Sequence, residues 1–337
     1  MMIWVGLACF ISAFFLTYGV RYFARQKQIM DTPNHRSLHK IPTPRGGGLA
    51  FVLVFYAALF ILWLVHAVSF LTFMAFLGGI LVALVGYLDD LIGLKSKWRF
   101  LAHILASVWG IAWLHGVLFL TLGSSYFYAP VLLTLGAVWL STWLINLYNF
   151  MDGIDGLAGM EAVFLAGAAG VFLFFTGAQE SALICMILAA SVLGFLIWNW
   201  SPASIFMGDI GSGFLGYIFA ILIWLTNKQH TLPVAAWLIL LGVFLGDATC
   251  TLIYRMIQKK RWQEAHREHA YQRLTLSGYS HQKVVLGVLG FNIFLLLPLA
   301  FFYLHIYIWA MALLYLLGVL FMIWGAWFFI VYKFQAK

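Results

Sequence analysis

Four polar side chains, Asn146, Asn149, Asp152 and Asp155, stand at strict three-residue intervals in the stretch NLYNFMDGIDGLAG. The chain has only 11 acidic residues in 337, so two carboxylates within four positions exceed background. Three residues advance a helix by roughly 300°, so Asn146, Asn149 and Asp152 would share a face about 120° wide. Gly153 and Gly156 loosen the backbone that follows, which places Asp155 in a turn aimed back at the same cavity. Two amides and two carboxylates suit a hard cation such as Mg²⁺, which takes oxygen ligands and keeps waters and substrate phosphates.

Further stretches carry groups of the same kind. GYLDDLIGLKSKWRF sets Asp89 beside Asp90, a pairing suited to a proton acceptor or a metal contact. Lys95, Lys97 and Arg99 follow; they either receive a phosphate or act as ordinary charges at a membrane edge. In FMGDIGSG, Asp209 lies among glycines at a helix start, where a bound cation could bridge to phosphate. DTPNHRSLHKIPTPRGGG supplies His35, Arg36, His39, Lys40 and Arg45. These suit a pyrophosphate or lipid phosphate, or else a basic loop drawn to anionic headgroups. RWQEAHREHAYQRL places His266 and His269 one helical turn apart with no third metal ligand nearby. Hydrogen bonding to a sugar or phosphate is the sharper reading, and a solvated loop helix the plainer one. His66, His103, His115, His230, His281 and His305 are scattered and read as structural, and Cys9, Cys185 and Cys250 as buried apolar side chains.

The elements that must position these groups follow from composition. With 64% hydrophobic and 9% charged residues, the chain cannot be a water-soluble globule, which carries about 25% charged residues. It is expected to be an all-α, polytopic membrane protein forming one domain over 1–337. A bilayer-crossing helix needs about 20 mostly apolar residues, and the charge-free runs accommodate about eleven spans. Runs 46–88, 100–151 and 284–332 each fit two, the last broken around His305, and run 229–255 is interrupted by Asp247. The first run is expected to be a span rather than a removed signal peptide. With eleven spans, every Lys and Arg except Lys228 falls on one side. The positive-inside rule makes that side cytoplasmic, with the N-terminus outside, the C-terminus inside and a long cytoplasmic loop over 255–283. The same count brings Asp89, Asp90, Asp152, Asp155 and Asp209 to that face. The basic charge then reports topology, and no nucleic-acid partner is expected.

A cytoplasmic-face cleft with several carboxylates, a divalent cation and basic phosphate-binding groups suits phosphoryl transfer, whose catalysis is mainly positioning and neutralisation of oxyanions. Its membrane setting points to a lipid substrate. The competing reading is an ion-coupled secondary transporter, which places ionisable groups near the bilayer midplane. Span-end carboxylates argue against it, and Asp247 is the exception.

PTPRGGG, GYLDDLIG, NLYNFMDGIDGLAG, FMGDIGSGFLG and the late His segment, in this order, resemble the polyprenyl-phosphate N-acetylhexosamine-1-phosphate transferase family across nearly the whole chain. The resemblance implies an enzyme of the bacterial inner membrane that makes HexNAc-PP-undecaprenol and UMP from UDP-N-acetylhexosamine and undecaprenyl phosphate. It implies Mg²⁺ on Asn149 and Asp209, with Mn²⁺ able to substitute. Asp89 and Asp90 match the family's Asp pair, one of which orients or deprotonates the lipid phosphate. Asp152 and Asp155 match carboxylates that shape the nucleotide-sugar site. Lys40 and Arg45 match phosphate contacts, and His266 and His269 contacts to the sugar-nucleotide diphosphate. HREHAYQRL departs from the compact His-x-His-His run of better-known members. It is closer to the O-antigen-initiating subgroup that uses FucNAc or QuiNAc, and this leaves GlcNAc unassigned. The expected partners are the two substrates and the bilayer, with a homodimer among the assemblies open to the chain.

Overall fold

Apolar side chains in lipid leave backbone N–H and C=O groups no solvent partner, and the α-helix satisfies them within one segment. The computed structural model follows that rule; it describes residues 2–33, 38, 41–260 and 266–334. Its helices are α1 Met2–Gln26, α2 Gly48–Leu64, α3 Phe70–Ile92, α4 Ser96–Trp113, α5 Pro130–Met151, α6 Leu157–Phe175 and α7 Gln179–Asn199. There follow α8 Asp209–Lys228, α9 Val234–Leu240, α10 Gly242–Ile257, α11 Ala270–Leu276, α12 His281–Phe291, α13 Leu297–Tyr303 and α14 Trp309–Lys333. A π-helical turn, Asn292–Leu296, joins α12 to α13 as one span, His281–Tyr303. Among the described residues, strands are confined to two short antiparallel pairs, β1 Met30–Asp31 with β2 Thr43–Pro44, and β3 Phe119–Leu122 with β4 Ser125–Tyr128.

The chain is therefore an all-α, multi-pass membrane protein. Among the described residues, eight helices are long and apolar enough to cross a membrane, and the α9–α10 pair makes a ninth. Each of the eleven spans read from the sequence has a helical counterpart. Two of these, the 17-residue α2 and the more polar α4, fall outside the length and composition of a full span. The break in the 229–255 run lies at Leu241, where α9 and α10 meet at 80°, and not at Asp247. The expected break at His305 is present between α13 and α14.

Helix α8 is the axle of the bundle. It is apolar on every side, as a helix enclosed by other helices must be, and 94% of its spanning window is buried. It packs chiefly on α3 and α5, with α2 along another side. Phe214 is fully buried and packs against Phe51 and Phe55 of α2. The closest approach is at the polar end. A Cβ on Gly86 of α3 would strike the backbone carbonyl of Asp209, so only glycine lets the end of α3 close on the first residue of α8. That packing holds the carboxylates of two distant segments side by side.

Candidate active site

Asp89 and Asp90 fill the last turn of α3, and Asp209 opens α8. Asp90 is 6% exposed. Its Oδ2 accepts the Ile210 N–H at 3.4 Å, so a carboxylate from α3 sits on the positive end of α8. The residue before α8, Gly208, has φ +77°, and a Cβ there would collide with the Asp90 carboxylate. Non-glycine residues are excluded from this corner on both counts.

Two arginines bring positive charge to these carboxylates. The loop after β2 is pinned where the Phe206 N–H donates to the Pro44 carbonyl at 2.8 Å and the Gly47 N–H to the Phe206 carbonyl at 2.9 Å. That brings Arg45 Nη1 to 3.7 Å from Asp90 Oδ1. Arg45 Nε is buried without a hydrogen-bond partner. From the first turn of α4, Arg99 Nη1 reaches Asp89 Oδ2 at 2.5 Å and Asp209 Oδ2 at 3.0 Å. Asp89 Oδ1 also accepts the Leu94 N–H. A cation thus stands between carboxylates from α3 and α8.

Asp209 and Arg99 share a small polar cleft with Asn146, Asn149, His103 and Phe150. The expected sharing of a helix face by Asn146 and Asn149 is met, since both line this cleft from the last turns of α5. Asp152 lies just past the helix end as its C-cap, its N–H donating to the Asn149 carbonyl at 3.3 Å. Burial, followed by the like charges of Asp209, Asp90 and Asp155, pushes the Asp152 carboxyl up to about 8. Hard oxygen donors at Asn149 and Asp209 in one cleft, beside carboxylates with too few cations, form a donor set that suits Mg²⁺.

Asp155 departs from the expectation that it points back into this cavity. Its Oδ2 accepts the Ala203 N–H at 3.1 Å and lies 3.2 Å from Nδ1 of His281, the first residue of α12. Burial works against its charge, but the hydrogen bond and positive charge of His281 hold its carboxyl below the usual range. Asp155 therefore ties the loop after α5 to the 201–204 segment and to α12.

The His segment forms a second polar region. His269 caps the N-terminus of α11 and is 4% exposed. The His266 ring stacks on it with centroids 4.9 Å apart. Burial, then the charges of His269 and Arg255, holds His266 down at about 4, which leaves it neutral near pH 7. Beneath them lies Asp247 of α10, 5% exposed. Its Oδ1 accepts the Ala270 N–H at 2.8 Å and the Thr251 hydroxyl at 3.0 Å, and its Oδ2 the Tyr271 N–H at 3.3 Å. His269 Nδ1 is 3.4 Å from Asp247 Oδ1, off the angle of a hydrogen bond. Tyr271 Oη then donates to the Phe150 carbonyl at 3.0 Å, which joins α11 to the polar end of α5.

Asp89, Asp90, Asp209, Arg45 and Asn149 thus come together, with Asp152 within electrostatic reach. His266 and His269 form the adjoining region. Lys40, with His35, Arg36 and His39, lies outside the described residues. The sequence reading takes His103 and His281 as structural, notes Asp247 only as an interruption of an apolar run and the exception among span-end carboxylates, and does not separate Arg99 from Lys95 and Lys97. Asp247 carried a signal, a lone carboxylate within an apolar run; the histidines carried none.

Residues 72–227 match glycosyl transferase family 4. A Bacillus subtilis protein described as a probable undecaprenyl-phosphate N-acetylglucosaminyl 1-phosphate transferase is 31% identical over 293 residues, covering 82% of this chain and 78% of its own. The decaprenyl-phosphate N-acetylglucosaminephosphotransferase of Mycobacterium leprae is 30% identical over 320 residues, covering 84% and 79%. The phospho-N-acetylmuramoyl-pentapeptide-transferase of Vesicomyosocius okutanii is 27% identical over 296 residues, covering 74% and 78%. With its carboxylate-bearing helices inside the matched region and likeness of this extent along most of its length, the chain belongs to glycosyl transferase family 4.

Proposed function

We propose that this chain transfers N-acetylhexosamine-1-phosphate from a UDP-sugar to undecaprenyl phosphate, initiating O-antigen or a related cell-surface polysaccharide. It does so at the cytoplasmic face of a bacterial inner membrane, with the N-terminus outside and the C-terminus inside. The observation that carries this reading is the meeting of Asp89, Asp90 and Asp209 with Arg99, Arg45 and Asn149 at one end of the bundle. Relatives named for polyprenyl-phosphate sugar-1-phosphate transfer support the reaction class.

An oxygen of the lipid phosphate attacks the β-phosphorus of the UDP-sugar. The bond from that phosphorus to the bridging oxygen breaks, and UMP leaves with the electron pair. Asn149 and Asp209 would hold Mg²⁺, or Mn²⁺ in its place. A metal bound there offsets the charge of the pyrophosphate. Asp89 and Asp90 are already paired with Arg99 and Arg45, which suits them to placing cations around the lipid phosphate. That phosphate is itself an anionic nucleophile, so direct attack needs no covalent enzyme intermediate. Asp152 and Asp155 shape the sugar-nucleotide side, Arg45 and Lys40 meet the lipid phosphate, and His266 on the buried His269 meets the nucleotide diphosphate. The HREHAYQRL segment favours a 6-deoxy-N-acetylhexosamine such as FucNAc or QuiNAc over GlcNAc. Asp247, the one mid-run carboxylate that favoured a transporter, has donors from α10 and α11 on both oxygens, which supports a scaffold role for it.

The test is UMP release by membranes containing the protein, with undecaprenyl phosphate and a panel of UDP-N-acetylhexosamines. One sugar should give UMP and a labelled lipid, and Asp209→Ala and Asp152→Ala should abolish both. Equal product from both variants would sink the site assignment.

A further inference from the structure

Glu161 stands outside the transfer site. It is one of the chain's 11 acidic residues, lies in α6 among Met160, Ala162, Phe164 and Leu165, and is fully buried. A carboxylate taken out of water into such surroundings needs a cation, several donors or a proton. Among the described residues, no lysine, arginine or histidine forms an ion pair with it. It sits past the first turn of α6, beyond the reach of the positive helix end. Tyr148 of α5 is the other titratable side chain within electrostatic reach, and it brings no positive charge. The hydrogen bond that Glu161 does make comes from Asn292, also fully buried, whose Nδ2 donates to Oε2 at 2.6 Å.

The two atoms left over complement each other. Glu161 Oε1 and Asn292 Oδ1 are both buried and both without a partner, and they belong to side chains already bonded through their other atoms. An ionised Glu161 offers the amide oxygen acceptors only, whereas the carboxylic acid offers one O–H donor. We propose that Glu161 is held as the neutral acid in a cyclic pair, Oε1–H donating to Asn292 Oδ1 while Asn292 Nδ2 donates to Glu161 Oε2, and that this pair positions the sugar-nucleotide side of the transfer site. A proton needs only the two side chains already in contact, whereas a bound cation needs several oxygens converging on it. The pair gives α12 a second tie. His281 at its start meets Asp155, and Asn292 just past its end meets α6, which begins directly after the loop that carries Asp152 and Asp155. That loop is thereby fixed against a helix held at both ends. The positioning role rests on the transferase reading above; the protonation state does not.

Three variants of the full-length protein, in a detergent free of ester groups, test this. Glu161→Gln keeps the ring, because its amide can donate to Asn292 Oδ1 and accept from Nδ2. Glu161→Ala and Asn292→Leu open it. At pH 7 the infrared difference spectrum, wild type minus Glu161→Gln, should contain the C=O band of a protonated carboxyl and no carboxylate band. Glu161→Gln should keep the wild-type Tm and kinetics. Glu161→Ala and Asn292→Leu should each raise KM for the UDP-sugar by about fivefold, with kcat and the lipid KM within about twofold of wild type, the pattern of lost positioning for one substrate. A carboxylate band in the difference spectrum, or a loss in Glu161→Gln as large as in Glu161→Ala, overturns the proposal and points to a charge held by a bound cation. An unchanged KM in both ring-opening variants overturns the positioning role. Neither the spectrum nor Tm requires turnover. A protonated-carboxyl band without UMP release from any UDP-sugar would therefore reject the transferase reading and keep the pair.

Discussion

The two polar regions at this end of the bundle contain similar residues but balance their charge differently. In the cleft, carboxylates from α3, α8 and the end of α5 crowd together, and Asp152 is pushed up to about 8 by burial and then by Asp209, Asp90 and Asp155. In the His segment, burial likewise opposes the charge of Glu268, yet Lys260 and Arg255 hold its carboxyl below its usual range. Arg255 and Lys260 each lie 2.9 Å from Glu268 Oε1. Asp247 has donors on both oxygens. One region is short of cations; the other is matched in charge, although Glu268 Oε2 and His269 Nδ1 there make no hydrogen bond. A region short of cations gains most from a metal and a basic contact, whereas a charge-matched one serves to fix geometry.

The largest effect should come from removing the cation that bridges the short region. Arg99→Ala leaves Asp89 and Asp209 facing each other without Nη1 between them. UMP release should fall by about 10²–10³-fold, the usual loss when one preorganised charge partner of a reaction is removed. Arg99→Lys should recover only part of this, since an ammonium cannot reproduce the planar fork. Activity near wild type in Arg99→Ala would show that the bridge is structural only, and the contrast between the regions would lose its functional meaning.

In the charge-matched region the first loss should be fold. Asp247→Asn keeps size but removes the charge that accepts two α11 amides, and one oxygen becomes a donor facing N–H groups. A destabilisation of about 3 kcal/mol is expected for breaking a buried charged network, read as a lowered Tm in detergent. UMP release should fall alongside, because Tyr271 anchors α11 to the Phe150 carbonyl. A variant with unchanged Tm and abolished activity would move Asp247 from the scaffold to the chemistry.

The difference between the regions also explains what could be read from the amino acids alone. Carboxylates are scarce and expensive in an apolar chain, so Asp89, Asp90, Asp152 and Asp209 stood out, and their shared end followed from span counting. Helix existence was legible for the same reason, since 20-residue apolar runs have few alternatives. Arg99 could not be told from Lys95 and Lys97, because the choice depends on which side chain faces α8 across the α3–α4 turn. His281 resembled five other scattered histidines, and its significance arises only when α12 returns to the loop after α5. The bend at Leu241 has no proline or charge to announce it. The π-helical turn opens with Asn292, whose Nδ2 donates to Glu161 Oε2 of α6 at 2.6 Å. Such features belong to tertiary contacts, whereas the legible ones belong to composition and period.

His281 offers a smaller and sharper test of where the two kinds of polar residue meet. It touches Asp155 and lies away from the cleft, so it acts as a positioning residue. His281→Ala should raise KM for the UDP-sugar by several-fold, with little change in kcat or in KM for the lipid, because the loop that carries Asp152 loses its tie to α12. His281→Gln, whose amide can still accept the Asp155 N–H and donate to the carboxylate, should restore most of the affinity. A fall in kcat without a change in KM would instead place His281 among the reacting groups.

The smallest effect expected is on stability against pH, and it reports the shortage of cations directly. The folded-state pKa of Asp152 is raised to about 8, above the value of about 4 in an unfolded chain. Between these values the folded protein keeps a proton that the unfolded chain has released. Stability from this group is fully present below pH ~4 and declines as pH rises towards 8. In metal-free detergent solution the wild-type Tm should drift downward over that window, and Asp152→Asn, which cannot ionise, should flatten the drift. Mg²⁺ competes with protons for carboxylates and binds better as they ionise, so its addition should raise Tm more at pH 8 than at pH 6. A stability profile identical in wild type and Asp152→Asn, with or without Mg²⁺, would mean that the cleft carboxylates are neutralised within the protein, as those of the His segment are.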